Sequence, residues 1–411
     1  MRNTFFPAVP ELLVPAGDMD KLKVALLYGA DAVYVGGEQF GLRASAGNFS
    51  LADLSAAVTL VHQHGKRLFL TLNAYVRPSD MEQLDDYLEQ LQVLDIDAYI
   101  VSDPGVLQRV RHLDPQREIH LSTQANTING PACQFWQQQG VQRVNLAREL
   151  NMTEIATIRE QTEIELEVFV HGAMCVAYSG RCLLSTALTG RSANEGACAQ
   201  PCRWNYALVE QTRPQQQFPI EEDRHGTYIM NSRDLCLLEQ LPQLIAAGVN
   251  SLKIEGRMKT LYYVAAVTRV YRAALDSYLA DAQNYCCDPL WRAELDKVSH
   301  RPYTGDFLPA EDAAVHSADS SYLRTHDFIG IVREVIMDGS QLLVRVEGRN
   351  RFYRGDVIEL IGPNMRQHEF CAPVCRDSDG NNVEIIQPNA QVWMPMPIEV
   401  AVGDMLRRQK A

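Results

Sequence analysis

A short hydrophobic phrase recurs along the chain: GADAVYVGG (29–37), DIDAYIVSD (95–103), GVQRVNLAR (140–148) and GVNSLKIEG (248–256). Each copy has a turn residue, a polar step, an alternating apolar run and then polar or glycine residues, the pattern of a short buried strand. Eight such segments predict strands: ELLVP (11–15), AVYVG (32–36), RLFLTLN (67–73), AYIVS (98–102), EIHLS (118–122), RVNLA (143–147), IELEVFV (164–170) and SLKIE (251–255). Helical patterns separate them, among them LADLSAAVTLVHQHG (51–65) and MEQLDDYLEQLQVL (81–94). Eight βα units at a regular period predict an α/β fold, a closed (β/α)8 TIM-like barrel in preference to an open doubly wound sheet.

The period breaks between the seventh and eighth strands. Residues 171 to 250 fall there and hold five of the ten cysteines. An insertion after a barrel strand emerges at the C-terminal face, where barrel enzymes keep their active sites. A helical pattern near 260–280 follows, and then a polar, irregular stretch. From 328, FIGIVREV, QLLVRVEG, RGDVIELIG and NVEIIQP are short strands divided by Asp-Gly, Gly-Pro and Asn turns, which predicts a small β-barrel domain. The expected organisation is a catalytic barrel over 1–280 with a cysteine-rich insertion at about 171–250, a linker over 281–327 and a small β-barrel over 328–411.

Charge and composition narrow the function. The chain has 411 residues and a net charge of -13, which argues against nucleic-acid binding over a broad surface and requires any RNA contact to be a local patch. The N-terminus, MRNTFFPAVPELLVPAGD, has no uninterrupted apolar region and no small-residue cleavage site, and no apolar run approaches membrane-spanning length. A cytoplasmic location is expected, with neither membrane nor DNA as a partner. In that reducing compartment clustered cysteines point to metal or redox work, while scattered ones are usually small core residues. The early glycines do not form G-x-G-x-x-G, and no phosphate-binding G-x-x-x-x-G-K-[ST] occurs.

The insertion's cysteines are Cys175, Cys182, Cys198, Cys202 and Cys236. An iron–sulfur cluster needs about four thiolates converging from loops, whose ligands can be far apart in sequence. Structural zinc favours two short cysteine pairs, and only Cys198-Ala-Gln-Pro-Cys202 has that spacing. Gly172, Gly180 and Gly196 would let backbone approach a cluster and leave amides free to bond its sulfurs. Spacing alone leaves a cluster, another metal and buried thiols all open.

The stretch E-x-F-x-x-G-A-M-C-x(4)-G-x-C-x-L-S, Glu167 to Ser185, resembles the signature of the collagenase-like peptidase family (peptidase family U, number thirty-two). The similarity continues through PELLVPAGD, YGADAVYVGG, FGLRASAGNF, SDPG, HLSTQAN, GACAQPCRW, MNSRDLC, SLKIEGRMK and HRPYT, essentially the whole chain. Members of that family include bacterial tRNA hydroxylation proteins, which make wobble 5-hydroxyuridine with a requirement for prephenate. Others hydroxylate a ribosomal RNA cytidine, and paired relatives hydroxylate the ubiquinone ring. Several carry a [4Fe–4S] cluster on four cysteines. The resemblance implies a cluster on Cys175, Cys182, Cys198 and Cys236, with Cys202 as a fifth candidate, and tRNA, a small anionic metabolite and a protein partner as candidate partners. The activity it implies is hydroxylation of the tRNA wobble uridine; the alternatives are a ribosomal RNA or ubiquinone-ring hydroxylation factor and a peptidase, although the chain has no H-E-x-x-H or G-x-S-x-G.

Strand ends at the C-terminal face supply Asn73, Asp103, Ser122, Gln124, Asn126, Arg148, Glu149, His171, Glu255 and Arg257. A mouth lined with Arg, His and Glu suits an anionic substrate and proton transfer. Arg148 and Arg257 are candidate clamps for prephenate's two carboxylates, and Arg43 a third. Both Arg148–Glu149 and Glu255–Arg257 could instead be ion pairs closing the barrel. Asn73, Ser122, Gln124 and Asn126 are candidate substrate contacts. His171, directly before the cysteine segment, is a candidate acid/base or cluster partner. For RNA, VEGRNRFYRGD (346–356) interleaves Arg349, Arg351 and Arg354 with Phe352 and Tyr353, suited to phosphate contact and base stacking. Arg203, Trp204 and Tyr206 are a second candidate surface.

Overall fold

The computed structural model describes residues 9–42, 47–174, 184–201, 233–305 and 323–410, with the backbone of short strands at 208–209, 217–218, 221–223 and 226–228. Seven parallel strands, β1 (Glu11–Pro15), β2 (Ala32–Gly36), β3 (Arg67–Leu72), β4 (Ala98–Val101), β5 (Glu118–Leu121), β6 (Arg143–Asn145) and β7 (Glu165–Ala173), pair side by side in chain order. After β7 come two antiparallel hairpins, β8 (Leu208–Val209) with β9 (Gln217–Phe218) and β10 (Glu221–Asp223) with β11 (Gly226–Tyr228), and then β12 (Asp234–Cys236). The eighth barrel strand, β13 (Ser251–Ile254), pairs in parallel with both β7 and β1 and closes the cylinder. The eight expected strands are therefore the eight barrel strands.

Helices α1 (Met19–Leu27), α2 (Leu51–Gln63), α3 (Met81–Leu91), α4 (Pro104–Leu113), α5 (Gly130–Gln138) and α6 (Met152–Gln161) follow β1 to β6 in turn. A short α7 (Leu184–Thr189) follows β7, α8 (Leu241–Ala246) precedes β13, and α9 (Leu261–Ala280) packs beside β1. Asp18, Ser50, Asn129, Asn151 and Thr260 cap the first turns of α1, α2, α5, α6 and α9 with side-chain oxygens, so polar residues in the strand-to-helix loops set where each helix begins. Among the described residues, no helix is long and apolar enough to cross a membrane.

Strand alternation divides the barrel into an outer and an inner face. Outward residues such as Leu12, Val33, Leu68 and Val144 join the helices in the main core. Inward residues of β1 to β4 (Leu13, Ala32, Tyr34, Phe69, Ala98 and Ile100) form a separate apolar cluster. The other half of the interior is charged. His120, Arg143, Asn145, Glu167, Ser251 and Lys253 are all buried. Glu167 accepts from Lys253 Nζ at 2.8 Å, Asn145 Nδ2 at 2.9 Å and Ser251 Oγ at 3.2 Å. Arg143 bridges Glu11 at 2.6 Å and Glu165 at 2.8 Å. Buried charges are tolerable only when paired in this way.

The 281–327 stretch is not a plain linker where the structure describes it. It contains α10 (Pro289–Leu295) and β14 (Tyr303–Thr304), the latter pairing with β12. Trp291, Leu295 and Val298, at i, i+4 and i+7, enter the main core; this apolar stripe is too short to stand out in a polar segment. The C-terminal domain comprises β15 (His326–Asp338), β16 (Gln341–Gly348), β17 (Phe352–Tyr353), β18 (Val357–Ile361), β19 (Gln367–Cys371), β20 (Cys375–Arg376), β21 (Asn382–Val383), β22 (Ile385–Ile386), β23 (Gln391–Met396) and β24 (Met405–Gln409). Eight of them form one antiparallel sheet, with β17 and β22 as a separate pair, around a core that includes Ile329, Phe352, Leu360 and Met394. Glu294 of α10, Arg269 of α9 and Arg407 of β24 meet without solvent exposure where this domain joins the barrel.

Candidate functional site

At the C-terminal mouth of the barrel, Arg257 is almost fully buried. Its guanidinium donates to Thr71 Oγ1 at 3.2 Å and to the Leu42 carbonyl, tying the loop after β13 to β3 and the loop after β2. Gly36 makes this reach possible, because a Cβ there would stand 2.1 Å from Arg257 Nη1. Beside it, Glu255 Oε2 lies 3.3 Å from the Tyr34 hydroxyl, and the Glu255 carbonyl accepts from Tyr263 at 3.1 Å. In the loop after β6, Arg148 Nη1 donates to the Ala173 carbonyl at 2.9 Å with its guanidinium 5.1 Å from the Phe169 ring centre. Arg148 also lines a small cavity with Leu150, Met152, Leu235 and Leu237. Glu149 is half-buried next to it.

Asn73, Ser122 and Gln124 are knit together beneath the mouth. The Asn73 carbonyl accepts from Ser102 Oγ at 3.1 Å and Gln124 Nε2 at 3.0 Å, while Ser122 Oγ donates to Gln124 Oε1 at 3.1 Å. Asn73 Oδ1 accepts from the Leu42 amide. Asn126 adopts a left-handed φ of 53° and closes the turn through Nδ2 to the Gln124 carbonyl. Asp103 spends its Oδ1 on the Gly105 and Val106 amides and caps α4. Arg43 lies outside the described residues.

A second face begins where β7 continues past the barrel. There it pairs antiparallel with β12, setting Ala173 opposite Asp234, Gly172 opposite Leu235 and His171 opposite Cys236. Gly172 has a φ of 117°, and a Cβ on it would stand 2.5 Å from the Glu255 carbonyl oxygen; only glycine fits both the conformation and the approach. Directly opposed residues in an antiparallel pair share a face, so His171 and Cys236 lie together, both buried. The Tyr271 hydroxyl donates to the Val170 carbonyl at 2.8 Å and lies 3.4 Å from His171 Nδ1 and 3.9 Å from Cys236 Sγ. With that proton committed to Val170, the contact is satisfied when His171 Nδ1 carries the ring proton. Nε2 is then a bare acceptor, and it has no partner among the described residues. Burial holds the His171 pKa down at about 3, so the ring is neutral at physiological pH. Neutral imidazole suits a hydrogen-bonding or ligating role better than that of a general acid.

The described cysteines fall into two chemical kinds. Cys198 Sγ accepts from the Gln200 amide at 3.3 Å, and Cys236 Sγ accepts from Arg292 Nη1 at 3.6 Å. In both cases the sulfur acts as an acceptor, as a thiolate would. By contrast, Cys286 and Cys375 donate their S–H to carbonyls, and burial pushes the Cys133 thiol up to about 11. Cys175, Cys182 and Cys202, like Arg203, Trp204 and Tyr206, lie outside the described residues. Among the described residues no group of three or more His, Cys, Asp or Glu could hold a metal. The donor chemistry of Cys198 and Cys236 fits a thiolate-bound group.

The arginine-rich segment of the C-terminal domain differs from its expected form. Phe352 is fully buried in that domain's core and cannot stack on a base. Arg349 pairs with Glu347 at 2.9 Å, Arg354 with Glu384 at 3.0 Å, and Arg351 donates to Gln387 at 3.1 Å. Only Tyr353 of the two aromatics is exposed. Sequence reasoning missed Tyr271 of α9 and Arg292 of α10, because helical side chains reach a strand site only through tertiary packing. Glu167 and Phe169 stood in the E-x-F motif, yet nothing local announced their partner Lys253 in β13.

Fold and site together define a class: a closed parallel barrel whose seventh strand extends into a cysteine-bearing face, followed by an antiparallel β domain. The chain belongs to Peptidase family U32, whose model matches residues 17–317, and the model of the Peptidase family U32 C-terminal domain matches 324–407. It is 38% identical over 404 residues to tRNA hydroxylation protein P1 of Bacillus subtilis, covering 98% of this chain and 95% of the relative. It is 34% identical over 438 residues to tRNA hydroxylation protein P of Escherichia coli, covering 96% and 95%. A third relative, a 23S rRNA 5-hydroxycytidine synthase of Escherichia coli, is 35% identical over 378 residues, 86% of this chain and 55% of that protein.

Proposed function

We propose that this protein is an RNA-modifying hydroxylase that forms 5-hydroxyuridine at the wobble position of tRNA, with prephenate as co-substrate and a [4Fe–4S] cluster as cofactor. What carries the reading is coverage. Both the barrel and the C-terminal domain are spanned by relatives named for tRNA hydroxylation. Cys175, Cys182, Cys198 and Cys236 would hold the cluster, with Cys202 in reserve, and the group would supply electron transfer. The acceptor character of Cys198 and Cys236 supports that assignment.

Arg148 and Arg257, with Arg43 as a third candidate, would pair with the metabolite's carboxylates at the mouth, which requires them to exchange their present carbonyl and hydroxyl partners. Glu255 and Glu149 are the carboxylates available for proton transfer, while His171 stays neutral. A peptidase role fits the described thiols poorly: Cys236 is buried, out of reach of a peptide substrate. Nucleoside mass spectrometry of tRNA from a deletion strain tests the proposal. Loss of 5-hydroxyuridine derivatives, restored by the wild-type gene and not by Cys175→Ser, is expected. Unchanged tRNA with a lost ribosomal RNA or ubiquinone hydroxylation would refute the choice of substrate, and gelatin cleavage surviving Cys175→Ala would revive the peptidase. A colourless protein after anaerobic purification would refute the cluster.

A further inference from the structure

We propose that Arg292 is the electrostatic partner of Cys236, a positioning residue that makes the cluster bound there easier to reduce; this rests on the iron–sulfur reading above. Arg292 Nη1 stands 3.6 Å from Cys236 Sγ. The guanidinium is held there from two other sides. Its Cζ lies 4.8 Å from the centre of the Tyr303 ring, and its Nε is 3.8 Å from Asp296 Oδ1. Tyr303 is itself fixed, stacked on His300 with ring centres 4.1 Å apart and donating its hydroxyl to the Leu295 carbonyl at 3.0 Å. Guanidinium packing on an aromatic face limits the freedom of the fork.

Two further observations mark this spot as built around a ligand and not around a stray thiol. The buried Nε2 of His171, on the residue opposite Cys236, has no protein partner among the described residues. The Tyr271 hydroxyl, the other polar group near the sulfur, donates to Val170 at 2.8 Å and only at 3.9 Å to Sγ, and it carries no charge, so charge compensation at Cys236 falls to Arg292. Cys198 takes its hydrogen bond from the neutral Gln200 amide. Reduction adds one negative charge to a group already carrying thiolates. A cation in contact with one of those sulfurs stabilises the reduced form more than the oxidised form. The Arg292 side chain is 40% exposed, and solvent screening keeps the effect moderate.

The test is a potentiometric titration of the full chain, purified anaerobically, reading the reduced cluster by electron paramagnetic resonance. Arg292→Leu and Arg292→Gln should each shift the reduction equilibrium about tenfold toward the oxidised form, about 59 mV lower for one electron. Arg292→Lys, which keeps the charge, should recover most of that shift, and Arg345→Leu in the C-terminal domain should leave the potential unmoved. Should the leucine variant lose its cluster, the glutamine variant, which retains an N–H donor, carries the measurement. A cluster-loaded Gln variant at the wild-type potential overturns this proposal alone, as does a Lys variant shifted as far as Gln. Wild-type protein without a cluster overturns it together with the reading on which it rests.

Discussion

Glu294 anchors the junction between the barrel and the C-terminal domain, and replacing it by glutamine should cost several kcal/mol. The carboxylate has no solvent exposure. It accepts from Arg407 Nη1 at 2.7 Å, Arg407 Nη2 at 2.8 Å and Lys297 Nζ at 2.8 Å, and Arg269 completes the set. Glu294→Gln keeps the shape but leaves two buried guanidiniums facing a neutral amide. Breaking a buried ion pair by removing one partner typically costs about 3–5 kcal/mol. A second route agrees: these cations hold the Glu294 carboxyl at about 2 in place of 4.5, which corresponds to about 3 kcal/mol in favour of the charged form. Because the folded pKa is depressed, this stability is present above about pH 4.5 and is lost as pH falls toward about 2. Arg407 retains Glu359 at 2.7 Å, and Arg269 retains the Gly362 and Arg366 carbonyls, so the loss belongs at the lower end of the range. Urea unfolding followed by circular dichroism at pH 7 would measure it. The C-terminal domain has a core of its own, and Ile331, Ile361 and Met405 also join the barrel's core, so the variant should unfold less cooperatively than wild type as the ionic part of the junction weakens. A variant within about 1 kcal/mol of wild type, the scale of an exposed pair, would refute the reasoning.

Three further outcomes are expected. Burial holds the His120 pKa at about 4, below the usual 6.5, so the unfolded chain binds the proton first. Stability should fall as pH drops from about 6.5 to about 4, by about 2 kcal/mol at pH 5, and His120→Phe should flatten that slope in urea titrations; an unchanged slope would reject the assignment. Lys253→Met removes the nearer of two cations from the buried Glu167 carboxylate, leaving Arg143 at 3.5 Å, and should cost about 3 kcal/mol, part of it recovered in the Lys253→Met/Glu167→Leu double variant; a thermal melt in which the double variant is no better than the single would count against the pairing. Gly172→Ala should lose more than about 1 kcal/mol, since it meets the Glu255 carbonyl and an unfavourable φ together, and normal stability in the same melt would show that the strand can shift.

The repeated strand phrase and its helical intervals determined the barrel, because side-chain periods of two and 3.6 are local properties written directly into the order of apolar and polar residues. The candidate mouth residues were legible for the same reason: a strand's end tells which residues reach the C-terminal face. Turn residues and short alternating runs likewise marked a β domain after residue 328. Other features depended on encounters between distant segments. Phe352 sits in an arginine-rich hairpin and looked like a stacking surface, but β17 turns it into the core. The 281–327 stretch is too polar to announce a helix, yet α10 carries Trp291 into the core, Glu294 to Arg407 and Arg292 to Cys236. The charged half of the barrel interior was invisible because Glu167 and Lys253 are 86 residues apart and each is an ordinary polar residue in its own strand. Local pattern specifies which way a side chain faces. What it then meets is decided by packing, and with it the buried pairs, the orphaned His171 nitrogen and the cation at Cys236.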